Sequence, residues 1–156
     1  MAEQSVETEK QLGKIYRQTV VIVSAEMFLV LILTVLRLVS PVPMPAAEKF
    51  DSTALMVLII FIAAASFVIR RLFNRWERYK TAVLLGGVSK LMYSLRWNAV
   101  VFSGFGLIIG VIGFIAASFG GNTLDMLRAA GVAVVVFFVN FPRRGVWERI
   151  VWNLYE

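Results

Sequence analysis

The chain has no cysteine and no histidine. Without cysteine there are no disulfides, thiolate metal sites, iron–sulfur clusters or thiol nucleophiles. Without histidine there is no histidine-ligated haem, no ordinary zinc or di-iron centre, no Ser-His-Asp catalysis and no common proton shuttle. Charge is scarce too, at 17% of residues, where a soluble domain carries about a quarter. No phosphate loop, carboxylate dyad or metal-ligand spacing occurs. An enzyme is therefore the least supported class, and no cofactor is implied.

What the chain has is apolar sequence: 59% of 156 residues are hydrophobic, with a mean hydropathy of +0.77. A core of this length cannot hide that much apolar surface, so lipid must cover it. Four apolar runs, at about 19–39, 53–69, 99–119 and 124–141, are long enough to cross a hydrocarbon core of about 30 Å as helices. The expected fold is all-α: a single domain, a polytopic membrane protein with four transmembrane helices in a bundle. Pro41, Pro43 and Pro45 break the chain between the first two spans, with Asp51, Ser52 or Thr53 as caps for the second. Gly120-Gly121-Asn122 turns it between the last two, with Asn122 or Thr123 as cap.

Two polar endings match. Arg70-Arg71 is followed by Trp76-Glu77-Arg78, and Arg143-Arg144 by Trp147-Glu148-Arg149. An arginine pair stops a span because a charge at the bilayer centre costs about 2.5–3.5 kcal/mol on insertion scales. Tryptophan then suits the headgroup layer, with its ring buried and its N–H wet. With four spans, both termini share one side. That side carries thirteen Lys and Arg, and the other only Arg37, Lys49 and Arg128. The positive-inside rule makes the termini cytoplasmic, and the compact design suggests a bacterial inner membrane. All four Trp and all four Tyr fall on the same side, so Arg70, Arg71, Trp76, Arg78, Trp97, Arg143, Arg144, Trp147, Arg149 and Trp152 form a basic aromatic collar on one face only. This placement points to the bilayer and its anionic lipids as partners and away from nucleic acid. Segments 74–97 and 145–156 read as amphipathic interfacial helices. Leu84, Val88, Leu91, Met92 and Leu95 share a face of the first; its alternative is packing under its own bundle. Leu12, Ile15 and Tyr16 fall at helical spacing, so the last turns before the membrane read as lying on its surface; a solvated tail is the equal alternative for residues 1–9. The halves resemble each other in order, which suggests parallel duplication of a two-span hairpin; chance likeness of apolar segments is the alternative.

Two intramembrane features stand out. Glu26 lies about 10 Å into the first span. It is either a proton- or cation-coupled site or a buried partner of a rim cation, Asn98, Ser103 or Asn140. The second is favoured, because no ring of polar ligands surrounds it. Ser103, Gly106, Gly110, Gly113 and Ala117 share one face of the third span, where small residues let helix backbones approach. Packing against a span of the same chain is the default, a seam to a second copy or partner the alternative. Asp125 and Arg128 can pair near the outer surface, and Arg37 can join them or snorkel. Three functions remain. The leading one is a non-catalytic subunit, accessory or scaffold of a larger membrane complex, joined to other membrane-protein subunits or to its own copies. The others are a small oligomeric transporter or channel using Glu26, and a membrane-shaping or anionic-lipid-binding protein.

Overall fold

The computed structural model describes residues 2–40, 52–120 and 122–155. The proline loop with Lys49 and Asp51, and Gly121 in the second turn, lie outside the described residues. Five helices follow in order: α1 (Ala2–Val39), α2 (Ser52–Phe73), α3 (Trp76–Gly120), α4 (Thr123–Asn140) and α5 (Arg144–Tyr155). Four of the helices are long and apolar enough to cross a membrane, as the sequence implies.

α3 is the central helix, packed against each of the others. α1 and α2 flank the α3–α4 pair, each resting on both of its helices. α1 turns inward along a narrow seam: Leu12, Thr19, Val23, Val30, Thr34 and Arg37 are buried, at alternating seven- and four-residue steps until the last. Outside that seam Phe28, Leu31 and Val35 are exposed, as are Val57, Ile60 and Phe61 on α2. An apolar exterior this extensive belongs in lipid or against another protein. Two hydroxyls inside the spans are satisfied within their own helices: Thr34 donates to the Val30 carbonyl at 2.8 Å and Ser66 to that of Ala63 at 2.7 Å. Asn122 caps α4, its side chain accepting from the Leu124 N–H at 3.1 Å.

The described residues form two cores. One lies between the spans, built from Val23 and Val30 of α1, Ile59 and Ala63 of α2, Ile109 of α3 and Ala133 and Phe137 of α4. The other lies beyond the spans, at the end that carries both termini. There Leu12, Tyr79, Leu91, Met92, Leu95, Ala99, Trp147 and Val151 close on one another. Tyr16 meets Trp147 edge to face at 5.7 Å, and its hydroxyl donates to the Pro142 carbonyl at 3.2 Å.

This second core exists because two helices do not stop at the membrane. α1 runs 38 residues, about 57 Å at 1.5 Å per residue. It starts at Ala2, so residues 2–9 continue the helix that Leu12, Ile15 and Tyr16 imply. α3 bends at Gly86 (φ −165°) and Gly87 (φ 66°, ψ −165°) and then continues unbroken to Gly120, about 50 Å further. The sequence placed a boundary between residues 97 and 99; helical hydrogen bonding crosses it, since neither proline nor glycine interrupts the chain there. The bend also changes the amphipathic face. Val88, Leu91, Met92 and Leu95 point inward as expected, but Leu84 is 86% exposed. Helical phase does not carry across Gly86-Gly87, and the arm before them turns Tyr79 and Val83 inward.

Candidate functional site

Each of three spans places an asparagine at its terminal-side end: Asn74 just after α2, Asn98 in α3 and Asn140 closing α4. They meet. The Tyr79 hydroxyl donates to Asn74 Oδ1 at 2.7 Å, and Asn98 Nδ2 approaches the same oxygen at 3.5 Å. Asn140 Nδ2 donates to the Phe102 carbonyl at 3.4 Å. Arg70 reaches across from α2 to donate to the Val139 carbonyl in the last turn of α4. That carbonyl has no helical partner of its own, which is where a cation is favourable. Arg70, Asn74, Tyr79, Asn98, Asn140 and Arg143 line a cavity of about 100 Å³, room for a few water molecules. The buried Asn140 Oδ1 has no protein partner among the described residues. The arrangement joins amides, a phenol and guanidinium groups, with no acid–base pair and no nucleophile. These hydrogen bonds tie α2, α3 and α4 to one another at the terminal-side end. Sequence reasoning named Asn98 and Asn140 only as candidate partners for Glu26, and did not name Asn74 or Tyr79. The available signal was the recurrence of one asparagine per span end.

Glu26 takes a different partner. It is half-buried on α1 and hydrogen-bonded to Ser103 of α3. Ser103 is fully buried and also lies 3.0 Å from the Val100 carbonyl. One hydroxyl has one proton, so the serine donates to one acceptor at a time. Of the partners open to Glu26 in the sequence, the structure selects Ser103, which ties α1 to α3. Among the described residues no group of three acidic, histidine or cysteine side chains converges.

The small face of α3 is divided between two neighbours of the same chain. Ser103 and Gly110, seven apart, face α1: a Cβ on Gly110 would come 2.6 Å from Val30 Cγ2. Gly106 and Gly113, also seven apart, face α4: a Cβ would meet Phe137 at 2.9 Å and Ala129 Cβ at 2.1 Å. Ala117 is buried on the same helix. The face is consumed by internal packing, so substitutions such as Gly106→Leu or Gly110→Leu disturb the bundle itself before they touch any partner.

The collar residues separate into inward and outward groups. Trp147 is only 5% exposed and belongs to the second core. Arg70 is held by Val139, and Arg78 lies over the Phe73 ring at 4.1 Å. Trp152 is half-buried. Arg71, Trp76, Arg78, Trp97, Arg143, Arg144 and Arg149 are exposed. Arg144 pairs with Glu148 at 2.6 Å. At the opposite end Arg128 pairs with buried Asp125 at 3.3 Å, as the three-residue spacing implies. The buried Arg37 donates to the Ser40 carbonyl at 3.2 Å, closing the end of α1.

Comparison with known proteins finds no match: no family model, no curated sequence and no solved structure is similar to this chain.

Proposed function

We propose that the chain is a non-catalytic, multi-pass inner-membrane protein with cytoplasmic termini, serving as an accessory or scaffold subunit of a larger membrane assembly. One observation carries the reading. The parts of the chain beyond the spans form a packed head with its own core around Leu91 and Met92, and this head is helically continuous with α1 and α3. A head built this way stands rigidly on the bundle and holds Arg71, Trp76, Trp97, Arg143 and Arg149 in fixed places on its outside. Exposed tryptophan and arginine are the residue types most enriched where proteins dock.

The small face of α3 gives this reading no support, because it is spent inside the bundle. Contact within the bilayer falls instead to the apolar flanks of α1 and α2. Thirteen basic residues against three support cytoplasmic termini. The bond from Glu26 to Ser103 favours a packing role over an ion-coupled one. The two halves also read as a parallel duplication. Each has a long helix followed by a shorter one, α1 and α2 in the first half and α3 and α4 in the second.

The test is extraction of the protein from its native membrane in a mild detergent, followed by its mass and the identity of the chains that travel with it. A stoichiometric set of other membrane proteins is expected, lost on replacing Trp76 and Trp97 by alanine while the chain still folds. Migration alone, as a monomer or a ring of its own copies, would sink the proposal.

A further inference from the structure

Three arginines, each at the edge of a different span, converge on one groove. Arg17 stands two residues before the apolar run of α1. Arg96 precedes the apolar run of α3 by three residues, and Arg144 follows the end of α4 past Pro142. They line an open groove of about 970 Å³ between α1 and the neighbouring ends of α3 and α5. Two further cations, Lys14 and Lys10, continue up the same wall, about one and two helical turns farther from the bilayer. Below the arginines the lining becomes apolar, with Val21 and Ile22 in the first turns of the span. The groove's carboxylate is Glu9, near its far end. Arg96 is steadied by Gln18 at 3.4 Å and Arg144 by Glu148 at 2.6 Å. The Glu148 contact neutralises part of one charge; Arg17 and Arg96 keep theirs.

We propose that this groove holds the headgroup of an anionic phospholipid. Cations stand at the level where a bilayer places its phosphates, and apolar side chains follow at the level of the acyl chains. A phosphodiester between Arg17 and Arg96 meets planar guanidinium donors that suit its geometry, bidentately where two oxygens are offered. One acyl chain then runs down the exposed outer face of α1 past Val21, which is 64% exposed. The neutral headgroup of phosphatidylcholine lacks the net negative charge that this excess of cations selects. A free phosphate shares the headgroup contacts but has nothing to place against Val21 and Ile22. The site depends on the packing of α1, α3 and α5 within one chain, so it is independent of whether the protein has partners.

The test uses the purified full chain in nanodiscs of phosphatidylcholine doped with phosphatidylglycerol, with retained lipid counted by native mass spectrometry after release. The wild-type chain is expected to keep phosphatidylglycerol in preference to phosphatidylcholine. Arg17→Gln with Arg96→Gln is expected to weaken that retention on the order of 100-fold, because each substitution removes a direct charge-assisted hydrogen bond to the phosphate as well as a surface charge. Arg75→Gln with Lys90→Gln removes the same charge from exposed positions outside the groove and is expected to leave retention within a few-fold of wild type. Circular dichroism establishes that both pairs fold. Equal loss in the two pairs would mean diffuse attraction and overturn the site. Equal retention of phosphatidylcholine overturns its charge selectivity. Displacement of the lipid by inorganic phosphate overturns the lipid as the occupant.

Discussion

Gly113→Ala adds one methyl group at the closest approach in the bundle. The new Cβ would stand 2.1 Å from Ala129 Cβ on α4. Carbon atoms pack at about 3.5–4.0 Å, so roughly 1.5–2 Å is missing. Ala129 has no rotamer to move, and the shortfall falls on the backbones. α3 and α4 must separate, which also loosens Gly106 from Phe137 one heptad away. Overpacking of this kind costs about 1–3 kcal/mol, and a backbone-limited clash belongs at the upper end. At about 2–4 °C per kcal/mol for a chain of this size, Tm in detergent falls by roughly 6–12 °C. The structure also supplies the rescue. With Ala129→Gly in the same chain, the nearest remaining atoms to the new methyl are Ala129 Cα at 3.6 Å and Met126 Sδ at 3.7 Å, both ordinary contacts. Ala129→Gly alone should cost about 1 kcal/mol in helix propensity. The double variant should then be more stable than Gly113→Ala by about 2 kcal/mol, a coupling of about 3 kcal/mol, well above the ~0.5 kcal/mol at which independent sites add. The assay is a thermal melt in detergent of the four members of the cycle. Gly113→Ala melting like wild type, or Ala129→Gly failing to rescue it, refutes the close approach of α3 and α4. A change in oligomeric state at unchanged Tm would refute it too, by making the face a seam between copies.

Glu26→Gln should leave the melt nearly unchanged, because an amide can still meet Ser103. Ser103→Ala should cost about 0.6 kcal/mol, and no more than about 1.7, the measured span for hydrogen bonds between membrane helices. A larger loss in Glu26→Gln than in Ser103→Ala, measured in the same detergent melt, would contradict a packing role for this pair. Gly87→Ala should destabilise the head by about 1–3 kcal/mol although nothing lies within 4 Å, because its φ of 66° with ψ of −165° is open essentially to glycine alone. Gly13→Ala, equally unobstructed but in helical backbone, should stabilise by up to about 1 kcal/mol. Amide hydrogen exchange over residues 76–98 and 6–20 separates the two outcomes, and equal effects of the two substitutions would refute the bend.

Much of the architecture was legible because a bilayer imposes rules that act along one dimension. Arg70-Arg71 and Arg143-Arg144 mark span ends through desolvation cost alone, and Asn122 marks a helix start through its own side chain. The Asp125–Arg128 pair is likewise local, a matter of three-residue spacing. Leu84 was misplaced for a reason of the same kind in reverse. Its position was counted through Gly86-Gly87, and helical phase survives only where backbone torsions stay helical. Trp147 read as a surface anchor from its neighbours Arg143 and Arg144, yet it is a core residue because Tyr16, 131 positions earlier, lies against it.

What the sequence determined by itself was therefore the number of spans and which residues gather at each end, since both follow from transfer free energies summed along the chain. The tertiary structure decided which faces meet. Gly110 faces Val30, Gly113 faces Ala129, Ser103 answers Glu26, and Arg17, Arg96 and Arg144 share one groove. Those pairings depend on how each helix is rotated and how deeply it sits against its neighbours. In lipid that choice rests on close packing and a few hydrogen bonds between helices, because apolar burial favours no one face over another.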